Sequence, residues 1–502
     1  MIKSITIEQP RLVSKQSLLT LIATPGALAA IGLATAWLYH WGGYLHRFSQ
    51  GISSYIALFI LQFALYLLAC YFVFRFRPRA PRAVILVTAG IIVLLAGVFR
   101  AELAGKPPYL STDAYRYVWD GNVQAHHINP YRYKPTAEPI AYLRDDRVFP
   151  KINGADYAVT PYPPLAQIIF LVVDLVSPLN VTAFKVTVLA FDMIAVLAIM
   201  LVLARAGMDP ARAILFAWHP LIIWEGSHSG HVDSIFIAFL SLALLAWSYK
   251  RYLMTGIALG AATLVKFYPI ILLPVFLPGL SIGLASFREI SQSGPGTWKE
   301  TGTRLWSALC AGPGRRIILG LIAVIALCYV PYLTVGKGIF GYLTEFFEEE
   351  GYINKGGRYF LLALGRELMP IPTTVYTCIA VMALIALCTV WLMRKKENVI
   401  DVARGSIAII GLYLFLTTPR YPWYYCWIIP FLCFIPRLGW IYLTGATVLL
   451  YTLWFIPNEY PNLPIWLGAA MYVPTVAMLA LDHSRRSWHR FGEADQDETL
   501  PI

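Results

Sequence analysis

Charge is scarce in this chain, and that scarcity excludes an ordinary soluble protein. Only 14% of its 502 residues are charged, against about 25% in a typical globular domain. Cysteine is scarce too. The seven cysteines, Cys70, Cys310, Cys328, Cys378, Cys388, Cys426 and Cys433, show no metal-ligand spacing and lie mostly inside apolar runs. That pattern argues for small buried side chains rather than a zinc site or a disulfide scaffold. No convincing cleavage site follows the first apolar run, so it is expected to be a retained span. Repeat symmetry of the transporter kind is not evident either, because the polar material is concentrated in one large early loop.

What is present is apolar sequence: 58% of the residues are hydrophobic and the mean hydropathy is +0.61. It falls in runs of roughly 15–24 residues, near the length that crosses a bilayer core of about 30 Å. The formal charge of +12 suggests nucleic acid only until its placement is seen. The bases cluster between apolar runs, at Arg75, Arg77, Arg79 and Arg82, at Lys250 and Arg251, at Arg315 and Arg316, and at Arg394, Lys395 and Lys396. Such clusters are topology signals, and they mark cytoplasmic turns. No nucleic-acid partner is expected.

Spans are expected at 17–38, 52–73, 83–99, 165–179, 183–204, 314–333, 372–393, 404–418, 423–435, 438–456 and 464–481. Two stretches are broken. The run 211–225 is interrupted at His219-Pro220, and 253–280 is divided at Lys266 and Pro269. We expect 211–225 to be re-entrant or a pair of half-helices, since broken backbone is tolerated where it lines a cavity. That choice keeps Lys250 and Arg251 inside but leaves Arg205 and Arg212 outside. About twelve full crossings plus one or two broken ones result, with both termini cytoplasmic. The expected divisions are N-terminal helices (1–99), an extracytoplasmic loop (100–160), a core with broken helices (161–280), a cytoplasmic loop (281–313), C-terminal helices (314–482) and a cytoplasmic tail (483–502).

The loop 100–160 holds STDAYRYVWDGNVQAHHINPYRY (111–133) and is closed by YPP (162–164). Its tyrosine, proline and asparagine content suggests a folded cap with short interfacial helices. Asp113 and Asp120 are seven residues apart, which on a helix places them on one face two turns apart. A carboxylate there can serve as general base toward a sugar hydroxyl or help hold a divalent cation. The alternative is that Asp113 starts a short helix and Asp120-Gly121 belongs to a turn. His126 and His127 are read as interface hydrogen-bonding groups in preference to metal ligands. A denser cluster follows at WEGSHSGHVD (224–233), where four titratable groups at the edge of hydrocarbon need a wet cavity or partners. Glu225 and Asp233 can bind a cation there, and His228 or His231 can contact a phosphate. Lys266, Arg358 and Arg420 are cations for a phosphate leaving group. Lys266 snorkelling to the interface and Arg420 acting as an anchor are the structural alternatives.

Together DAYRYVWDGNVQAHHINPY (113–131), YPPLAQ (162–167), HPLIIWEGSHSGHVDS (219–234), LVKFYPIILLP (264–274) and PRYPWYYCWIIP (419–430) carry a resemblance. They resemble the bacterial multi-spanning glycosyltransferases of the GT-C superfamily, in particular the polyprenyl-phosphate-mannose-dependent α-mannosyltransferases. The resemblance implies an all-α polytopic membrane protein with about 12–14 transmembrane helices in the bacterial cytoplasmic membrane. It implies transfer of a sugar, with mannose expected, from a polyprenyl-phosphate carrier to a glycan or glycolipid hydroxyl on the extracytoplasmic face, with inversion. Asp113 matches the catalytic base of the first outer loop, and Arg116 and the Lys266 region resemble the lipid-phosphate side. The acids read DAYRYVWD here in place of a close pair, so a divalent cation, Mg or Mn, is the one cofactor left open. Another carrier-linked sugar, such as arabinose or glucose, and a lipid or solute transporter are the remaining readings.

Overall fold

A computed structural model of the chain describes residues 15–45, 51–76, 82–278, 312–349, 359–455 and 463–484. The described residues form helices and no strand, as expected of an all-α polytopic membrane protein. Arg358, Cys310, the basic turn at 77–81, the expected cytoplasmic loop and the C-terminal tail lie essentially outside them.

Three long apolar helices open the bundle: α1 (Lys15–Gly42), α2 (Gly51–Phe76) and α3 (Arg82–Ala104). The polar island then supplies α4 (Asp113–Ala125), two short 3-10 turns and α5 (Pro164–Val176). Next come α6 (Val181–Arg205), capped by Asn180, the short α7 (Ile214–Ala217) and α8 (Pro220–Ile223), and a π-helical turn at Trp224–His228. They lead into α9 (Asp233–Ser248), α10 (Tyr252–Val265) and α11 (Leu273–Phe276). Across the undescribed segment lie α12 (Gly312–Tyr329), α13 (Leu343–Glu349) and α14 (Phe360–Arg366). The chain continues with α15 (Thr373–Met393), α16 (Val399–Thr417), α17 (Ile429–Leu432), α18 (Leu438–Ala446) and α19 (Ile465–Ser484).

Among the described residues seven helices are long and apolar enough to cross a membrane, and four more are apolar but shorter. Proline explains why other traverses are broken. Pro210, Pro220, Pro269, Pro274, Pro422 and Pro430 each sit in the first turn of a short 3-10 or α segment, where the missing N–H is harmless. Side-chain caps accept a freed backbone donor at two of these breaks. Asp209 accepts from Ala211 N at 2.9 Å, and the His219 imidazole accepts from Leu221 N at 3.2 Å.

The two ends of the bundle differ. At one end α1 and α3 finish together, joined by His40–Glu102 at 2.9 Å and by Lys106 Nζ donating to Tyr44 at 2.7 Å. Lys185, one turn into α6, donates to the carbonyls of Leu103 and Lys106 at that same end. At the other end Arg205 donates to Ser248 O at 2.9 Å, and Arg212 donates to the carbonyls of Cys433 and Phe434. Lys396 donates to Trp391 O there, on the turn after α15.

These contacts correct two expectations. The stretch 165–179 does not cross: α5 starts and finishes at the Lys185 end, lying along α4. Tyr117 stacks on Phe170 at 4.9 Å, and Asn122 donates to Asp174 at 3.3 Å. The run 211–225 is not re-entrant, because it climbs from Arg212 at one end to the π-turn near the other. One crossing is lost and one gained, so Arg205, Arg212, Lys250 and Arg251 all share one end and the topological conflict disappears. Of the six described cysteines, four are buried, Cys388 is half-buried and Cys378 is exposed on the apolar face of α15.

The tightest helix pair is α10 with α12. A side chain at Gly256 would strike the Ile317 carbonyl, and one at Gly320 would strike the Leu253 carbonyl. Gly256→Leu should therefore destabilise the protein by about 1–3 kcal/mol. Gly90→Leu, whose Cβ meets nothing within 4 Å, should leave the thermal midpoint in detergent unchanged, and comparing the two midpoints checks the pairing.

Candidate active site

A cavity of about 670 Å³ opens at the end of the bundle where α1 and α3 finish. It is walled by the start of α4, the turn 153–163, the break after α10, and the segments 420–424 and 450–453. Asp113, Arg116, Lys266 and Arg420 all reach it. The sequence singled out these four from positions up to 307 residues apart, and the fold gathers them.

Asp113 is the first residue of α4, with Ser111 Oγ accepting its backbone N–H at 3.2 Å. It therefore starts a helix and also faces the cavity, so the two readings of this residue are compatible. Its side chain is 25% exposed, and it is the only acid lining the cavity among the described residues. Asp120 behaves differently. It lies within α4, not in a turn, and its buried carboxylate is held by Arg116 Nε at 2.8 Å and Gln167 Nε2 at 3.2 Å. Gly121 beside it lets the Phe170 carbonyl of α5 come close. Asp120 is thus a brace between α4 and α5, and it is not placed to touch a substrate in the cavity.

Arg116 shares that role. Beyond the pair with Asp120 it donates through Nη1 to Ala158 O at 3.1 Å, which ties α4 to the cavity rim. His126 and His127 stand away from the cavity, with His126 Nδ1 2.9 Å from Asn122 O and His127 in a left-handed turn at φ 59°. The neighbouring Tyr162 lines the cavity, 3.4 Å from the Tyr117 hydroxyl. Burial first and the nearby Asp113 carboxylate second push the Tyr162 hydroxyl well above its ordinary range, so it stays a neutral donor.

The cluster 224–233 forms a layer directly behind the cavity wall. Glu225, His228, His231 and Asp233 are all buried and none lines the cavity. His231 has Asp113 Oδ2 at 3.8 Å on one side and Glu225 Oε2 at 3.1 Å on the other. Glu225 Oε1 in turn accepts from the Tyr451 hydroxyl at 2.7 Å. The His231 ring lies 4.0 Å from that of Trp423, which stacks on Tyr421 at 4.5 Å. His228 packs its ring against Trp224 instead. The expectation that either histidine contacts a phosphate is therefore corrected: both lie behind the wall, because the π-turn directs them into the bundle.

Asp233 opens α9 and is paired with Lys266 at 2.7 Å and with Trp427 Nε1 at 3.3 Å. Lys266 ends α10 in extended backbone, which swings its amine to the cavity over the Tyr424 ring at 4.8 Å. Arg420 reaches the cavity beside Tyr421. Among the described residues no group of three or more His, Cys, Asp or Glu is placed to hold a metal ion. Of the acids considered for Mg or Mn, Asp120 is paired with Arg116 and Asp233 with Lys266.

Two features escaped the sequence reading. Tyr451 sits in an apolar run with nothing around it to draw attention. Arg100 and Asp192 form a fully buried pair at 3.0 Å, with Arg100 also donating to Ala217 O at 2.8 Å. Charges inside two apolar spans were the available signal for that pair.

Residues 17–280 match the family model described as Alpha-(1->6)-mannopyranosyltransferase, N-terminal domain. They make up more than half of the chain. The chain belongs to this family. No curated protein matches it. The matched region of this family member carries Asp113, Arg116, Asp120, the 224–233 cluster and Lys266, whereas Arg420, Trp423 and Tyr451 reach the cavity from beyond it.

The pairing in α4 yields a test. Arg116→Met leaves the Asp120 carboxylate buried and uncompensated, a loss of about 3–5 kcal/mol. The thermal midpoint should fall sharply and recover in large part in the double variant Arg116→Met, Asp120→Leu. A stable Arg116→Met protein with a raised donor KM would instead make Arg116 a donor ligand.

Proposed function

We propose that the protein is a mannosyltransferase drawing on a polyprenyl-phosphate-mannose donor and placing the sugar on a hydroxyl of a glycan or glycolipid. The observation that carries this reading is the contrast among the acids. Asp113 faces the cavity, whereas Asp120, Glu225 and Asp233 are buried in pairs or hydrogen bonds. An acid open to substrate can accept the proton of an acceptor hydroxyl as it attacks the anomeric carbon.

Lys266 and Arg420 supply positive charge for the departing phosphate. Lys266 gives one contact to Asp233 and, as an ammonium with three donors, keeps others for an anion. Phosphate is a good leaving group, so no general acid is needed. A single displacement inverts the anomeric centre, which turns a β-linked donor into the α product that the family description names. The ring of Tyr421, backed by Trp423, offers a flat face to the sugar.

The basic residues Arg205, Arg212, Lys250, Arg251 and Lys396 collect at the end opposite the cavity. By the positive-inside rule this supports a cytoplasmic placement for that end and an extracytoplasmic site. A bilayer-embedded donor would reach such a site laterally, its chain lying against the apolar outer faces of the helices.

The test is transfer from radiolabelled polyprenyl-phosphate-mannose to extracted lipid acceptors, with purified protein in lipid. Asp113→Asn should lower kcat by about 10²–10⁴-fold while the protein stays folded. Arg420→Ala should raise the donor KM. Equal transfer by wild type and Asp113→Asn removes Asp113 as the base. Transfer only with arabinose or glucose donors changes the sugar, and solute movement without a new covalent bond overturns the enzyme class.

A further inference from the structure

The layer behind the cavity contains an arrangement that the proposed chemistry leaves unused. His231 is 1% exposed and lies between two carboxylates, with Nε2 3.8 Å from Asp113 Oδ2 and Nδ1 3.1 Å from Glu225 Oε2. Neither ring nitrogen, nor Glu225 Oε2, makes a hydrogen bond of acceptable angle in this arrangement, although all three are fully buried. Unsatisfied buried polar atoms are costly and rare, and they concentrate where a protein uses them. Glu225 is itself fixed through Oε1 by the Tyr451 hydroxyl, and Tyr451 returns to the cavity wall. A polar chain thus runs from the cavity through Asp113, His231 and Glu225 to Tyr451.

We propose that His231, backed by Glu225, is a positioning residue that holds the Asp113 carboxylate toward the acceptor and receives its proton after transfer. The inference rests on the reading of Asp113 as the base.

The bookkeeping of bonds is simple. The acceptor O–H bond breaks as its oxygen bonds to the anomeric carbon, and the carbon–oxygen bond to phosphate breaks with the electron pair leaving on the phosphate. The proton goes to Asp113 and then to His231 Nε2, and the resulting imidazolium faces the Glu225 carboxylate through Nδ1–H. A buried imidazolium without that acid would be unfavourable, which explains an acid behind the ring. The same logic explains why the other groups near His231 leave it alone. Trp423 presents only an aromatic face, and Asp233, two residues further on, is neutralised by Lys266. Lys185, which passes Gly230, spends its amine on the Leu103 and Lys106 carbonyls.

The π-helical turn makes the arrangement. The extra residue in the turn at Trp224–His228 and the left-handed Gly230 at φ 78° bring Glu225 and His231 to the same side. His231 N donates to Glu225 O at 3.0 Å, which locks the two backbones together.

The experiment uses the full chain in lipid with polyprenyl-phosphate-mannose as donor. Glu225→Gln, which keeps the shape, and His231→Gln should each lower kcat on the order of 10²-fold with donor KM unchanged. In the Asp113→Asn background neither should cost anything further, because residues that act as a unit are not additive. A merely structural role predicts losses that multiply with Asp113→Asn, together with a lowered thermal midpoint. If His231→Gln does not fold, Tyr451→Phe decides: several-fold lower kcat supports the chain and full kcat overturns it. Full activity in folded Glu225→Gln and His231→Gln, with Asp113→Asn inactive, overturns this inference and leaves the transferase reading intact. No transfer by the wild type overturns that reading itself.

Discussion

Charge in hydrocarbon must be matched, and the layout of the site follows from how this chain matches it. Arg100 meets Asp192, Arg116 meets Asp120, and Lys266 meets Asp233, each pair buried or nearly so. Removing one partner from such a pair is far more damaging than replacing both, because the survivor is left without water or counter-charge. The pairs therefore act as fixed points in the bundle. Arg100 and Asp192 join α3 to α6, and the Arg100 guanidinium also binds the carbonyl at the end of α7. Asp192 lies directly against Gly226 of the π-turn. The turn that presents Glu225 and His231 thus rests on a buried ion pair, and its geometry does not depend on loop chemistry alone.

Matching also sorts the acids. Once Asp120 and Asp233 are taken by bases and Glu225 by a tyrosine, Asp113 is the one that faces open volume. The same sorting applies to the bases: Arg116 is spent on its pair and on a backbone carbonyl, whereas Lys266 and Arg420 present charge to the cavity. A negative group on one wall and positive groups on others is what the proposed displacement, with a hydroxyl attacking and a phosphate leaving, would require.

Proline supplies the second constraint. Three traverses of the bundle are broken into short segments at prolines, and each break places polar or aromatic groups at cavity depth: the π-turn, Lys266 with Tyr268, and Tyr421 to Trp427. Unbroken helices would have carried those residues past the cavity on a continuous spiral. Breaks of this kind are tolerated inside a membrane because they line a cavity and are capped locally, as at Asp209 and His219.

Much of the fold was legible in the sequence, because the length and apolarity of a spanning run report directly on its environment. The long helices, the polar island and the broken stretches at His219-Pro220 and at Lys266 could all be read there. So could Asp113, Lys266 and Arg420 as cavity groups, since each is a charge set in an otherwise apolar or aromatic neighbourhood. What only the tertiary structure decided depends on pairing at long range. Apolarity could not tell that α5 lies along α4 instead of crossing, since a run this apolar suits either placement. Local spacing could not separate Asp113 from Asp120, because Arg116 stands within helical reach of both and the partner that completes the Asp120 site, Gln167, lies 47 residues beyond it. Nor could it show that His231 stands behind Asp113 with Glu225 at its back and Tyr451, 226 residues away, holding that acid. Hydrophobic pattern is a local property that survives in one dimension, whereas the partner of a buried charge is known only when the helices have met.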